Sequence, residues 1–202
     1  MNNLIQQVKQ SLSEDIGKTD VTANLIAEDK TLVFQLLSRE ACTLCGSQWF
    51  DESFRQLDPD CCIDWQFCDA QIVLPDKNIC RVEGNARKLL SAERTALNFL
   101  QTLSGTATLT AEYVALIKHT RCRLLDTRKT IPLLRYAQKY AVSCGGGTNH
   151  RFGLYDAFLI KENHIASIQS ISDAVKIART MHPNLLLNEA ALRQKTTYIE
   201  QV

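Results

Sequence analysis

Cationic side chains concentrate in one stretch of the chain, where their spacing around glycines could bind an anionic ligand. Residues 121–161 contain eight lysines and arginines and two acids, a net charge of +6, whereas residues 1–120 carry −5 and residues 162–202 carry 0. Arginine matches a carboxylate or phosphate with a planar fork of donors, and lysine offers a compact positive charge. The stretch therefore predicts an anion-binding region in a protein whose net charge is only +1.

Three segments of this stretch carry the candidate groups. They are Asp126-Thr127-Arg128-Lys129-Thr130, Gly145-Gly146-Gly147-Thr148-Asn149-His150-Arg151 and Leu159-Ile160-Lys161-Glu162-Asn163-His164. Each segment follows a predicted strand or lies in a glycine-rich loop, and βα architectures gather ligands at the carboxyl ends of strands. The glycine run lacks the Gly-Lys-Ser/Thr that completes a P-loop, so alone it indicates only a tight turn between a helix and a strand.

The elements that must position these groups predict an α/β fold in two parts. The pattern of apolar residues predicts a helix from Leu4 to Gly17 by helical spacing, a strand over Thr31–Ser38 by a nearly continuous apolar run, and a packed helix around Phe50. It also predicts a strand near Ile63–Phe67 and a hairpin over residues 72–82. A long helix follows from Asn85 to Ser104-Gly105, with a second helix to about His119. We expect an N-terminal α+β domain over residues 1–104.

Beyond residue 104 the predicted elements alternate between strand and helix. Arg123–Asp126 and Ala157–Lys161 are predicted strands, and Pro132–Val142 and Ser172–Met181 are predicted helices. Such alternation indicates parallel βα units. A closed βα barrel takes at least about 200 residues. We therefore expect residues 105–202 to form a partial α/β barrel.

Composition places the protein among globular proteins without membrane spans. It has 45% hydrophobic and 22% charged residues, and no apolar run reaches the roughly 18 residues of a membrane helix. Residues 1–17 lack the apolar core of a signal peptide, so we expect a cytoplasmic protein. The eight cysteines are then expected to be reduced and mostly buried, and Cys42-x-x-Cys45 lacks the second short-spaced pair of a zinc ribbon.

Five ordered segments resemble the quinolinate phosphoribosyltransferases, also called nicotinate-nucleotide pyrophosphorylases (carboxylating). The resemblance extends over about residues 1–183. Besides the three segments above, it rests on Glu14-Asp15-Ile16-Gly17 through Asp20-Val21-Thr22 and on Glu93-Arg94-Thr95-Ala96-Leu97-Asn98. It implies an N-terminal α/β domain, an incomplete-type α/β barrel, and transfer of a phosphoribosyl group from phosphoribosyl pyrophosphate to quinolinate with decarboxylation. This reaction belongs to NAD biosynthesis.

The resemblance also implies site residues and partners. It assigns the pocket to Arg94, Thr127, Arg128, Lys129, His150, Arg151 and Lys161, with Lys129 and Lys161 as catalytic residues and Mg²⁺ as cofactor. Two subunits would form a homodimer in which Arg94 reaches the partner's site. Periodicity alone favours a solvated Arg94 paired with Glu93 or another acid. The resemblance implies neither a nucleic-acid nor a membrane partner.

The sequence departs from the family at two places and leaves two other functions open. Pro132-Leu133-Leu134-Arg135 replaces a Pro-Gly turn, and after Pro183 the family's paired glutamates are not matched at Asn188-Glu189. Residues 185–202 are typical of an unrelated polar helix, and we expect little turnover from the chain alone, as from a truncated or frame-shifted gene. The alternatives are an inactive partner that lends Arg94 and a nucleic-acid-binding module. The module would use the basic stretch and its aromatic residues Tyr136, Tyr140, Phe152, Tyr155 and Phe158.

Overall fold

A computed structural model describes residues 2–168 and 170–188 of the chain. They fall into two compact units, residues 1–150 and residues 151–202. The first unit contains an antiparallel sheet and the longest helix, and the second contains a short parallel sheet with two helices. Within the described residues, no helix combines the length and the apolarity needed to cross a membrane.

The first helix, α1 (Asn2–Ile16), buries one apolar stripe. Leu4, Val8 and Leu12 recur at helical spacing and are buried in one core cluster with Trp49. Gly17 ends the helix, since its φ of +59° lies in the left-handed region that glycine adopts without a side-chain clash. The predicted helix and its end are confirmed.

A three-stranded antiparallel sheet forms the second core of this unit. Its strands β1 (Thr31–Leu37), β3 (Cys62–Trp65) and β5 (Asn78–Asn85) lie in the order β1-β5-β3. Helix α2 (Ser47–Leu57) contributes Phe50 and Phe54, both fully buried, to the apolar cluster that includes residues of β5. The predicted β1, α2 and β3 are therefore confirmed, with β3 ending before Phe67.

The predicted hairpin over residues 72–82 is wrong. Strand β4 (Ile72–Val73) pairs with β2 (Cys42–Thr43), while β5 pairs with β1 and β3. The intervening segment does turn the chain, with Asp76 at a φ of +60°. However, Asp76 N donates to Ser38 O at 2.7 Å and Ser38 N donates to Lys77 O at 3.2 Å. These bonds hold the turn against the end of β1 and direct β5 into the larger sheet.

Helix α3 (Ala86–Ile117) is continuous, so the predicted break at Ser104-Gly105 is wrong. It begins at the N-cap Asn85, whose side chain accepts the Lys88 N–H at 3.2 Å. Ser104 Oγ contacts the backbone of Cys45, accepting from its N at 3.0 Å and donating to its O at 3.1 Å. One interior glycine costs a helix about 1 kcal/mol relative to alanine. The buried residues on both sides of Gly105 outweigh that cost.

Two predicted elements after α3 differ in extent from the structure. The predicted strand Arg123–Asp126 is reduced to one parallel bridge between Leu125 and Thr148. Helix α4 spans Arg135–Cys144 and not Pro132–Val142. Leu133 has a φ of +67°, which no α-helix contains, so the helix cannot begin until the chain has passed this turn.

The second unit alternates strands and helices. Strand β6 (Ala157–Leu159) precedes α5 (Glu162–Ile168), α6 (Ile171–Met181) and β7 (Leu186–Asn188), and β6 pairs with β7 in parallel. The predicted strand and the helix near Ser172–Met181 are thereby confirmed, whereas α5 was not predicted. Because β7 is a strand, the predicted polar helix over residues 185–202 is wrong at residues 186–188, and residues 189–202 lie outside the described part.

Candidate active site

A buried ion pair connects two segments of the first unit that carry predicted site residues, the basic loop after Asp126 and the segment of His150. Lys139 Nζ on α4 contacts Asp126 Oδ1, and their side chains are 1% and 6% exposed. Lys139 Nζ also donates to His150 O at 2.9 Å, and His150 N donates to Asp126 Oδ1 at 2.7 Å. Asp126 and Lys139 therefore hold the backbone of His150 directly beside the start of the Thr127–Lys129 loop.

Asn149 completes this network. In the amide orientation that satisfies its neighbours, its nitrogen donates to Asp126 Oδ2 at 2.7 Å and to Lys139 O at 2.9 Å. Its oxygen accepts from Ser143 Oγ at 3.2 Å. Both carboxylate oxygens of Asp126 are thus hydrogen-bonded, as a buried charge requires. We call Asp126, Lys139, Asn149 and the His150 backbone the anchor network.

The basic loop, residues 127–130, is held at both ends. Thr127 Oγ1 accepts the Lys129 N–H at 3.0 Å, and Arg135 at the start of α4 donates to Thr130 Oγ1 at 3.3 Å and to Arg128 O at 3.4 Å. Thr127 and Lys129 are exposed, while Arg128 is half-buried. The loop therefore presents the Lys129 side chain to solvent from a fixed backbone.

Arg128 contains an unsatisfied donor. Its Nε is buried and has no hydrogen-bond partner within the described residues. A buried donor without an acceptor costs about 1–3 kcal/mol. A carboxylate or phosphate bound at this guanidinium would supply the missing acceptor, so Arg128 is suited to an anionic ligand.

The glycine run positions His150 by bringing α4 close to α3. A Cβ on Gly145 would lie 2.4 Å from Ala107 O and 2.6 Å from Thr110 Cβ, so only glycine permits this approach. Gly146 follows at a φ of +84°, another position that favours glycine. The run is a tight turn, as its sequence alone indicates, and it leads directly into the Leu125–Thr148 bridge.

Two predicted site residues belong to the second unit. Arg151 donates from Nη1 to Ala157 O at 3.2 Å, and in the same loop Asp156 accepts the N–H groups of Phe152 and Gly153 at 2.7 and 3.0 Å. Lys161 is exposed immediately before α5, with its N donating to His164 Nδ1 at 3.0 Å. Hence Arg151 and Lys161 flank β6 on either side.

Arg94 lies exposed on α3. No acid among the described residues forms an ion pair with it, so the pairing with Glu93 favoured by periodicity is wrong. One turn earlier, Ser91 Oγ donates to Asp20 Oδ2 at 2.7 Å, which ties this part of α3 to the Asp20 segment. The Arg94 guanidinium is consequently available for an external anion or a second subunit. None of the hydrogen bonds described above joins it to the basic loop.

Lys139 and Asn149 were missed as functional residues by sequence reasoning. A lysine that is 0% exposed is rare, and helical periodicity does not distinguish it from a surface lysine. The available signal was Asp126, the single acid between the end of α3 and residue 155, because such an acid among many cations is suited to a pairing role.

Two aromatic residues of the basic stretch, Tyr136 and Tyr140, pack against Trp49, whereas Tyr155 is 77% exposed. Trp49 contacts the rings of Tyr136 and Tyr140 at centroid distances of 6.0 and 5.6 Å, and Tyr140 Oη also donates to Asp69 Oδ2 at 2.9 Å. Lys139, one of the eight cations, is buried against Asp126. These contacts count against the nucleic-acid-binding alternative.

Within the described residues, the one cluster of three metal-binding side chains is not suited to Mg²⁺. Asp126 accepts three hydrogen bonds in the anchor network, and the cluster with the spacing of metal ligands is Cys45, Asp69 and Cys144. Mg²⁺ prefers six oxygen ligands, and two of these three donors are sulfur. The expected Mg²⁺ therefore stays a prediction.

The thiols of this cluster interact with each other. A hydrogen bond between them raises the pKa of Cys45, which burial raises further, and lowers the pKa of Cys144. Burial and the bond to Asp69 raise the pKa of Tyr140. The described cysteines form no disulfides. Cys45 and Cys80 are buried, but Cys62, Cys68 and Cys122 are exposed, so the expectation of mostly buried thiols is met only in part.

The fold and the site together define an α/β protein with an incomplete barrel and a basic region whose groups are suited to anionic ligands. The chain belongs to the quinolinate phosphoribosyltransferase family. Residues 20–104 match the family model described as Quinolinate phosphoribosyl transferase, N-terminal domain, and residues 106–197 match that of the C-terminal domain. The second match passes residue 183, so the expectation that residues 184–202 are unrelated to the family is wrong as far as residue 197.

Individual relatives agree with this assignment. The chain is 40% identical over 183 residues to the probable nicotinate-nucleotide pyrophosphorylase [carboxylating] of Bacillus subtilis, covering 89% of this chain and 63% of the relative. It is 41% identical to the chloroplastic enzyme of that name from Arabidopsis thaliana, covering 84% of this chain and 49% of the relative. The solved nicotinate-nucleotide pyrophosphorylase structure from Francisella tularensis matches with a TM-score of 0.89 and 49% identity, covering 92% of this chain and 66% of that one.

The chain thus spans from about half to two thirds of the length of these relatives. The two family models meet at residues 104–106, while the compact units of the structure divide after His150. The predicted domains 1–104 and 105–202 stay a prediction.

Proposed function

We propose that this chain transfers the phosphoribosyl group of phosphoribosyl pyrophosphate to quinolinate with decarboxylation, yielding nicotinate mononucleotide, CO₂ and pyrophosphate. The observation that carries the proposal is the anchor network, which fixes the basic loop beside His150, with the Arg128 Nε unsatisfied. Family membership supplies the reaction. The proposed location is the cytoplasm, although the name of the Arabidopsis relative places that protein in the chloroplast.

The charges of both substrates suit this region. Quinolinate carries two carboxylates, and the sugar donor carries a 5′-phosphate and a pyrophosphate. Arg128 and Arg151 have the planar donor forks that carboxylates accept, while Lys129 and Lys161 are exposed point charges suited to phosphate oxygens. Thr127 and His150 complete the proposed substrate-binding set on the first unit.

The proposed roles follow from where charge develops. The pyridine nitrogen of quinolinate bonds to the ribose carbon as the bond to pyrophosphate breaks, so positive charge develops on the sugar and negative charge on the leaving group. Lys129 and Lys161 stabilise that leaving group. The ring carboxylate next to the new pyridinium nitrogen then leaves as CO₂, its electron pair stays on the ring carbon beside the cationic nitrogen, and a proton replaces it.

Mg²⁺ is proposed to arrive with the donor substrate. Pyrophosphate oxygens are hard ligands of the kind that Mg²⁺ prefers, and the described residues contribute no oxygen cage of their own. When bound, the ion would neutralise charge on the pyrophosphate. No role of a residue above depends on it.

Arg94 is proposed to act across a homodimer. Its exposed guanidinium has no ion-pair partner within the described residues, and α3 holds it on a rigid element. In a twofold dimer each subunit would then supply Arg94 to the quinolinate site of the other. The same feature favours a second candidate function, an inactive partner that completes another subunit's site through Arg94.

Calorimetric titration of quinolinate tests the binding step without requiring turnover. Arg128→Gln should weaken binding about 10- to 100-fold, the value of one charge-assisted hydrogen-bond pair. Arg123→Gln is the matched control, because it removes the same charge from an exposed position in the same basic stretch and should change affinity less than twofold. Equal affinities of the two variants would contradict the proposed site.

Mixing two variants tests the dimer. Arg94→Ala and Arg128→Gln should each bind little quinolinate alone, but an equimolar mixture should recover about a quarter of the wild-type sites, since half the dimers are mixed and each has one intact site. No recovery in a mixture shown to exchange subunits would refute the trans role. Pyrophosphate release then separates the two functions: turnover supports the enzyme, and quinolinate binding without turnover supports the inactive partner.

A further inference from the structure

Three side chains outside the proposed substrate site place metal-binding atoms close together. One sulfur each from Cys45 and Cys144 and one carboxylate oxygen of Asp69 all lie within 4.8 Å of one another. Cys45 precedes the N-terminus of α2, Cys144 is the last residue of α4, and Asp69 lies in the loop before β4. Three segments distant in sequence thus converge on one point in the first unit.

We propose that Cys45, Cys144 and Asp69 form a binding site for Zn²⁺ or a cation of similar softness. Two sulfurs and one carboxylate oxygen are donors that zinc accepts, with Zn–S distances of about 2.3 Å and Zn–O of about 2.0–2.2 Å in tetrahedral geometry. That geometry places two sulfurs about 3.8 Å apart. Because the three ligand atoms lie within 4.8 Å of one another, the two sulfurs would have to approach each other by no more than about 1 Å to bind one ion.

The donors are already held in position by their surroundings. Cys45 is fully buried, and its backbone N and O are both hydrogen-bonded to Ser104 Oγ on α3. Asp69 accepts Ser47 N on Oδ1 at 3.2 Å and accepts Gly46 N and Tyr140 Oη on Oδ2 at 3.1 and 2.9 Å. A carboxylate has about four acceptor positions, so one remains on Oδ1 for a cation.

The surroundings also determine which ion binds. The two sulfurs exclude Mg²⁺ and Ca²⁺, which take oxygen ligands. Three protein ligands leave the fourth tetrahedral position open, and Cys144 is only half-buried, so water or a small anion can reach that position from its side. Binding releases the thiol protons to solvent, because the thiolate is the form that ligates.

Cys42 does not take part, although it forms a C-x-x-C with Cys45. It lies in β2, paired with Val73, and its Sγ contacts Ser38 Oγ at 3.8 Å. The structure therefore pairs Cys45 with a cysteine 99 positions away and not with its sequence neighbour. This distinction makes Cys42 a matched control for the site.

An ion at this point would tie α2 to the C-terminal end of α4. Gly145 follows Cys144 directly, and the Gly145–Gly147 turn leads to Asn149 and His150 of the anchor network. The metal would thus stabilise the backbone that precedes the substrate-binding segment without contacting the substrate. Its binding is measurable whether or not the chain acts on quinolinate.

Metal titration of the reduced, metal-free chain tests the proposal. Co²⁺ should produce the sulfur-to-cobalt charge-transfer absorption of a two-thiolate site, and one equivalent of Zn²⁺ should abolish it. Cys144→Ser should lose this stoichiometric binding, whereas Cys42→Ser should keep it. Tyr140→Phe, which removes the donor that orients Asp69, should weaken Zn²⁺ binding about 10- to 100-fold. Circular dichroism verifies that each variant is folded.

A second measurement does not depend on variants. Zn²⁺ should protect Cys144 of the wild-type chain from iodoacetamide, as mapped by mass spectrometry, and should leave the labelling of exposed Cys62 unchanged. Absence of the charge-transfer band, equal zinc affinity of the Cys144→Ser and wild-type chains, or equal labelling of Cys144 with and without zinc would each overturn the proposal. Loss of binding in Cys42→Ser alone would do so as well.

Discussion

Replacing Lys139 with methionine should strongly destabilise the first unit. The substitution keeps a long apolar stem but removes the ammonium group, and leaves Asp126, whose side chain is 6% exposed, as a buried charge without its cation. Breaking a buried pair in this way costs about 3–5 kcal/mol. With about 2–4 °C per kcal/mol for a protein of this size, the melting temperature should fall by roughly 6–20 °C.

Urea unfolding followed by the fluorescence of buried Trp49 measures this loss in the unit that contains the pair. Arg81→Ala is the control, because the Arg81–Glu83 pair has exposures of 41% and 47% and should contribute less than about 1 kcal/mol. The double variant Asp126→Asn with Lys139→Met should lose less than the sum of the single losses, since no charge is left unpaired. A Lys139→Met variant within 1 kcal/mol of wild type would refute the reasoning.

Further predictions concern packing and titration. Gly145→Ala, whose Cβ would lie 2.4 Å from Ala107 O, should destabilise the protein by about 1–3 kcal/mol in thermal unfolding, whereas Gly105→Ala, with nothing within 4 Å, should stabilise it by about 0.5–1 kcal/mol. Burial raises the pKa of Cys80 from 9.0 to about 12, so the folded state retains a proton that the unfolded state loses. The free energy of unfolding should therefore fall as pH rises between these two pKa values, by up to about 1.4 kcal/mol per pH unit. Denaturant unfolding of wild type and Cys80→Ala at pH 8 and 10 isolates the contribution of this thiol to the pH dependence. Asn85→Ala should cost about 1 kcal/mol in urea unfolding through loss of the α3 cap, and an unchanged midpoint would exclude a capping role.

Local patterns predicted the elements whose formation depends on one apolar face. Leu4, Val8 and Leu12 predicted α1 because they recur at helical spacing and form its buried face. The nearly continuous apolar run over Thr31–Ser38 predicted β1, and the aromatic residues around Phe50 predicted α2. The pairing of β4 was beyond such reasoning. The turn at Asp76 indicates only that the chain reverses direction. Hydrogen bonds between this turn and Ser38 determine which sheet β5 joins.

The sequence predicted which cationic residues belong to the candidate site, but it predicted only part of how they are positioned. Charge density marked Arg128 and Lys129, and the family resemblance assigned His150 and Arg94. Lys139 belongs to the same charge run, yet it is fully buried and positions the loop through Asp126. Its role depends on contacts between residues 11 to 24 positions apart, which neither helical nor strand periodicity encodes.

Helix α3 crosses the boundary between the two family domains without interruption. Its 32 residues make a rod about 48 Å long, and bending it near residue 105 would break several successive backbone bonds. Residues 86–117 therefore form one rigid element across the junction of the two family models. Arg94 and the turn of Ala107 and Thr110 that contacts Gly145 consequently keep a fixed spacing along one helix axis, so a shift of α4 against α3 would be transmitted to the surface that carries Arg94.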